Sequence, residues 1–134
     1  MDIQPGLMSE VEIVVQPQDT ADAIGNTGIH VLSTPRLVSL IEDAGIQAVA
    51  PHLPPGATTV GTRLDVKHLA ATPVGMRVRA RAVLRQVDGR RYVYDVEAHD
   101  EVEKVAEGTH ERFQINQARF LERVAEKAKG KGAR

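Results

Sequence analysis

From Thr58 onward the apolar residues of this chain recur with a period of two, and only extended strands alternate in that way. "TTVGTRLDVKHL" sets Val60, Thr62, Leu64, Val66 and His68 on one face. "MRVRARAVLRQV" sets Met76, Val78, Ala80, Ala82 and Leu84 on one face and Arg77, Arg79, Arg81 and Arg85 on the other. Asp88-Gly89 is a hairpin signal, after which "RRYVYDVEAHD" returns as a strand. "EVEKVAEGTHERFQI" is a further strand, and Gly108 inside it marks a bulge or a close approach of backbone. Strands linked in series by short turns form an antiparallel sheet.

Two segments precede that run. "MSEVEIVV" alternates Val11, Ile13 and Val15 with polar residues and is strand-like. "QPQDTADAIGNTGIHVLS" carries turn formers without a period and is expected to be a long connection with one short helical turn. Thr34-Pro35 then opens a helix, with Thr34 at the cap and Pro35 at the first helical position. The helix runs to about Ala50, where Pro51 and "PHLPPG" stop it. At about 100° per residue, Leu37, Leu40, Ile41, Ala44 and Ala48 form a sheet-facing stripe. Arg36, Ser39, Asp43 and Gln47 form the wet one. Asn116 is placed to cap a C-terminal helix carrying Phe120, Leu121, Val124 and Ala128, and "KGKGAR" is expected to be disordered. One helix covers one face of the sheet, so the class is α+β. The whole of 1–134 is expected to be one domain, with residues 1–7 and 130–134 flexible.

Composition narrows the function. Lys+Arg 17 against Asp+Glu 18 leaves a formal net charge of −1, and only 3% of residues are aromatic. Neither fits a nucleic-acid binder. There is no cysteine, which removes disulfides, thiolate nucleophiles and cysteine-ligated zinc. No histidine pair has a metal spacing, and HExxH, GxSxG, the P-loop and GxGxxG are absent, so no metal or nucleotide motif is expected. Without a basic-then-apolar leader or a long apolar run, the expectation is a cytoplasmic protein with no membrane partner.

Two residues sit oddly. Glu42 falls at about 140° on the helix, among Val38, Ile46 and Val49 and away from the wet stripe. A second apolar patch calls for a subunit interface or a ligand pocket. Glu42 is then either a patch-edge residue that snorkels to water or a desolvated base or charge partner. His68 ends the inward face of its strand, ahead of "LAATPVG". It is either a core histidine bonded to backbone or a general acid/base at a cleft mouth.

"STP", "LIEDAGIQAVAPHL", "GTRLDVKHLAATPVGMRV" and "VDGRRYVYDVEAHDEVEKVAEGTHERF", in that order and spacing, resemble the hotdog-fold thioesterases, and within them the fluoroacetyl-CoA thioesterase-like group. The resemblance covers roughly residues 30 to 115, and "HLAATPVG" followed by "GTHER" is its most specific part. It implies a long central helix wrapped by an antiparallel β-sheet, and a catalytic set at Thr34, Glu42 and His68. It also implies substrate contacts at Gly61 and Arg112, and a homodimer with sites at the interface, dimer and tetramer both being open. Glu42 and His68 would then come from different subunits. The implied activity is hydrolysis of a small or medium acyl-CoA thioester without a cofactor, CoA being part of the substrate. Non-catalytic acyl-CoA binding and a hotdog hydratase or dehydratase are the alternatives. Glu42 would attack the thioester or activate water, His68 would shuttle the proton, and Thr34 would orient Glu42. Backbone N–H groups near Gly61 would hold the oxyanion. Fluoroacetyl-specific members carry aromatic lid residues before the helix. "AIGNTGIHVLS" has none, so a general acyl-CoA thioesterase is expected.

Overall fold

A computed structural model of the chain describes residues 3–132. Five strands, β1 Met8–Val14, β2 Ala57–His68, β3 Arg77–Asp88, β4 Arg91–Asp100 and β5 Lys104–Asn116, form one antiparallel sheet in the order β1-β3-β4-β5-β2. The long helix α1, Thr34–Val49, lies across it, chiefly against β1 and β3. A second helix, α2 Gln117–Gly132, follows β5 directly. The α+β architecture with one helix over an antiparallel sheet is as the sequence predicts.

The core follows from the two periodicities. Val78, Ala80, Ala82 and Leu84 of β3 are closed to solvent, while Arg77, Arg79, Arg81 and Arg85 between them are exposed. Three of those arginines face acids: Arg77 and Arg79 meet Glu12, and Arg85 meets Asp95. Exposed pairs of this kind contribute about 0–1 kcal/mol each, so the row is a solvated face. On α1 the stripe of Leu37, Leu40, Ile41, Ala44 and Ala48 is buried, together with Gly45 and Val49. Burying a Leu or Ile contributes about 1.5–3 kcal/mol, which anchors α1 to the sheet. Val49 therefore belongs to the core and not to the second patch, where Val38 is half-buried and Ile46 is 38% exposed.

Three local expectations are corrected. The helix cap is Ser33, not Thr34: the Arg36 amide donates to Ser33 Oγ at 3.1 Å, which places Thr34 and Pro35 inside the first turn. The long connection holds two 3₁₀ turns, Pro17–Asp19 and Asp22–Ile24, and is clamped by Asp19. That carboxylate accepts from the Gln16 amide at 2.7 Å and from Arg36 Nε at 2.9 Å, so Arg36 is half-buried and not on a wet stripe. In β2 the register against β5 shifts between Gly61 and Arg63, leaving Thr62 as an extra residue. One extra residue reverses which side chains face the core. Thr59 and Gly61 face α1 before the shift, and Leu64, Val66 and His68 face it afterwards.

The chain ends behave differently from one another. Ile3 and Leu7 pack on the core, and Gly6 and Leu7 exchange backbone hydrogen bonds of 2.8 Å with Leu84. Met1 and Asp2, also expected to be flexible, lie outside the described residues. Asn116 Oδ1 caps α2 by accepting from the Arg119 amide at 3.0 Å, and the helix continues through Gly130 to Gly132. Ala133 and Arg134 lie outside the described residues. Among the described residues no helix is long and apolar enough to cross a membrane.

Candidate active site

Thr34 and His68 meet at the N-terminal end of α1. Because Ser33 supplies the cap, the Thr34 hydroxyl is left free, and its Oγ1 lies 2.7 Å from His68 Nδ1. His68 is brought there by the parity switch at Thr62, which turns the end of β2 toward the helix. Its other nitrogen, Nε2, is closed to solvent and has no hydrogen-bond partner. Burial lowers the pKa of His68 below the ordinary histidine value, and a hydrogen bond toward the Ala70 backbone opposes it. The ring is therefore neutral at neutral pH, one nitrogen fixed by Thr34 and the other unmet.

Two turns further along α1, Glu42 faces a second cluster. Its Oε2 lies 3.5 Å from Arg112 NH1, and its side chain is 36% exposed against 5% for Arg112. Arg112 Nε donates to Thr59 Oγ1 at 2.8 Å and NH2 donates to the Thr59 carbonyl at 3.0 Å. NH1 also donates to His110 Nε2 at 3.1 Å. A nitrogen that accepts carries no proton, so the His110 proton is on Nδ1, which donates to the Arg63 carbonyl at 2.8 Å. Burial, first of all, lowers the His110 pKa, in agreement with a neutral ring. Desolvation also lowers that of Arg112, partly offset by Glu42, and a guanidinium stays charged regardless.

Glycines make room for this cluster. A Cβ on Gly61 would stand 2.6 Å from Glu42 Oε2, and one on Gly45 would stand 3.2 Å from His110 Cδ2 and 3.3 Å from Arg112 Cδ. Tyr94 closes the floor, its ring stacked on His110 at 5.9 Å and its hydroxyl donating to the Gly45 carbonyl at 2.9 Å. Desolvation pushes the Tyr94 pKa far above the ordinary tyrosine value, so the hydroxyl stays a donor.

All five residues singled out from the sequence thus lie where α1 meets β2 and its neighbour β5, in two groups: Thr34 with His68, and Glu42 with Gly61 and Arg112. Thr34 orients His68 and not Glu42, and among the described residues no hydrogen bond or ion pair joins Glu42 to His68 within one protomer. Glu42 lies eight residues beyond Thr34 along the helix, a rise of about 12 Å. His110 and Thr59 were passed over. "GTHER" held the signal for His110, but its burial depends on Gly45 admitting it beneath the helix.

A family model described as fluoroacetyl-CoA-specific thioesterase matches residues 15–118. The chain belongs to that family. A fluoroacetyl-CoA thioesterase from Streptantibioticus cattleyicolor is 44% identical over 98 residues, which are 73% of this chain and 70% of the relative. The solved structure of the fluoroacetyl-CoA thioesterase FlK covers 95% of this chain and 98% of its own, at 36% identity and a TM-score of 0.89. A variant of FlK with a threonine changed to serine has been solved in complex with acetyl-CoA. A Thermus thermophilus protein described as a thioesterase superfamily member is 27% identical, covering 99% of this chain and 98% of its own with a TM-score of 0.91. The fold is therefore the hotdog fold of this superfamily. In this family member the segment before α1 presents aliphatic side chains, Ile24 at 59% and Ile29 at 44% exposure, and no aromatic one.

Proposed function

We propose that the protein is an acyl-CoA thioesterase that hydrolyses a small or medium acyl group from CoA at sites shared by two protomers. The observation that carries this is the buried, unpartnered Nε2 of His68, fixed from behind by Thr34. A nitrogen left without a partner away from water costs about 1–3 kcal/mol, a cost that makes sense where a reacting group occupies the position. Glu42 attacks the thioester carbonyl or takes a proton from water, held in place by Arg112. When water attacks, His68 Nε2 carries its proton to the departing CoA thiolate. When Glu42 attacks, the departing thiolate leaves behind a Glu42 acyl anhydride that water then opens, the water's proton passing through His68 to CoA. In either case free acid and CoA leave and no cofactor is consumed. Backbone N–H groups near Gly61 hold the oxyanion.

A homodimer joins the two groups. β2 is an edge strand, and Gly61 to Asp65 are exposed along it. A bare edge of this length is open to pairing with another chain. Antiparallel pairing of two β2 strands about a two-fold axis near Asp65 puts Gly61 across from the partner's His68, the extra residue Thr62 keeping both on the helix face. Glu42 of one protomer then works with the partner's His68. CoA thioesters being intracellular metabolites, the cytoplasm is the expected place of action.

Thiol release is to be measured over acetyl-, haloacetyl-, branched and phenylacetyl-CoA, for the native protein and for Glu42→Gln. Hydrolysis of at least one short or medium ester by the native protein, with a rate about 100- to 1000-fold lower in the variant, is expected. Equal rates would make Glu42 structural and end the mechanism. A product that retains its thioester but has a changed acyl mass would indicate a hydratase.

A further inference from the structure

The arginines of this chain are unevenly partnered. Most, such as Arg36, Arg63, Arg85, Arg91 and Arg112, stand beside a carboxylate. Among the described residues, Arg81, Arg90, Arg119 and Arg123 are the arginines that form no ion pair. Three of these four, Arg90, Arg119 and Arg123, line one cleft of about 300 Å³ at the end of the sheet, where β5 runs into α2. Phe113 and Phe120 line it too, 40% and 38% exposed respectively. The protein has only two phenylalanines, and both are here.

Each of these features leaves capacity for a ligand. Arg119 and Arg123 stand one turn apart on α2, and like charges at that spacing disfavour a helix. Two phenylalanine rings facing water lose the benefit of burial. An anion that also carries a flat ring relieves both: guanidinium forks take phosphate in two parallel hydrogen bonds, and aromatic rings stack on a purine. The N-terminus of α2, capped by Asn116 beside the cleft, adds positive potential of the same sign.

The cleft also lies at a workable distance from the catalytic carboxylate. Ala57 of β2 lines the cleft and Gly61 lies against Glu42, four residues or about 13 Å further along the strand. The pantetheine arm of coenzyme A is long enough to span such a gap. Resting on the thioesterase function above, we propose that this cleft binds the 3′-phospho-ADP end of the CoA thioester. Its phosphates lie on Arg90, Arg119 and Arg123, and its adenine lies against Phe113 or Phe120. Substrate binding and thioester cleavage are then carried by separate patches, so affinity for CoA can change without a change in the chemistry.

The test uses adenosine 3′,5′-bisphosphate as probe, titrated calorimetrically into the native protein and into the Arg119→Ala/Arg123→Ala variant. The native protein is expected to bind it, more weakly as salt is raised, and the variant to bind about tenfold more weakly or not at all. Both arginines are exposed on α2, so the variant should melt at the native temperature. In kinetics, the variant should show a KM for acyl-CoA raised about tenfold at unchanged kcat, and native rates on the same acyl group carried by pantetheine alone. Equal probe binding by the two proteins, or an equal loss on the pantetheine ester, would overturn the assignment. If the native protein cleaves neither ester, the hydrolytic function fails, while the titration still decides whether the cleft holds a nucleotide.

Discussion

Arg112 of β5 spends its donors on Thr59, His110 and Glu42 in a place nearly shut off from water, whereas His68, at the end of the neighbouring edge strand β2, touches Thr34 and leaves its second nitrogen unmet. The first arrangement is saturated. Any displacement there strands a buried charge, so the cluster holds α1, β2 and β5 in one geometry. The second is unsaturated, and a group that approaches Nε2 gains a hydrogen bond without breaking another. Rigidity and reactivity have thus been given to different ends of one helix–sheet contact, and substitutions should separate them.

Arg112→Ala should have the largest effect. It leaves Glu42, Thr59 and His110 without their common partner, and each buried polar group left unmet costs about 1–3 kcal/mol. Urea unfolding should show that loss, and an unchanged midpoint would mean the cluster holds nothing together. His68→Ala should lower kcat by about 100- to 10,000-fold, the usual contribution of a general acid/base. Its unfolding free energy should stay within about 1 kcal/mol of the native value, and a larger fall would make His68 structural. The two adjoining hydroxyls should cross over. Thr34→Val, losing one hydrogen bond to His68, should slow turnover by roughly fivefold with stability intact. Ser33→Ala should cost about 1 kcal/mol of stability with turnover intact. If both variants behave alike, the division between cap and catalytic hydroxyl is wrong.

The smallest effect is one of pH. Burial lowers the pKa of His68 and of His110 below 6.5, so the folded chain binds fewer protons than the unfolded chain just below that pH. Stability should be flat above about pH 6.5 and fall as the pH drops from there through the lowered values. His110→Gln should flatten that slope more than His68→Gln does, since His110 is closed to solvent. A slope of opposite sign, measured as melting temperature against pH, would contradict the burial argument.

The sequence announced the strands and the core face of α1 because burial there is written in periods of two and 3.6, seen in Ala80, Ala82 and Leu84 and in Leu37, Leu40 and Ile41. It pointed to Glu42 and His68 because a charge and an imidazole broke those patterns. It mis-set Thr59, Gly61 and Thr62, since a one-residue slip in strand register leaves the alternation on either side intact. The choice between Ser33 and Thr34 as cap was equally hidden, because both hydroxyls suit the position and only the packing of His68 decides between them. Gly108 was marked as a bulge or a close approach; a Cβ there would overlap the Asp65 carbonyl, so it is a close approach. His110 looked like any strand histidine, because what buries it lies 65 residues away at Gly45.

Gly45 carries a warning for anyone who engineers this scaffold. A glycine inside a long helix is a standard target for stabilisation, since alanine favours the helix by about 1 kcal/mol. Here the added methyl would press on His110 and Arg112, and through Arg112 on the Glu42 carboxylate. A screen ranked by heat resistance alone would therefore be blind to what this position does for the buried cluster beneath the helix.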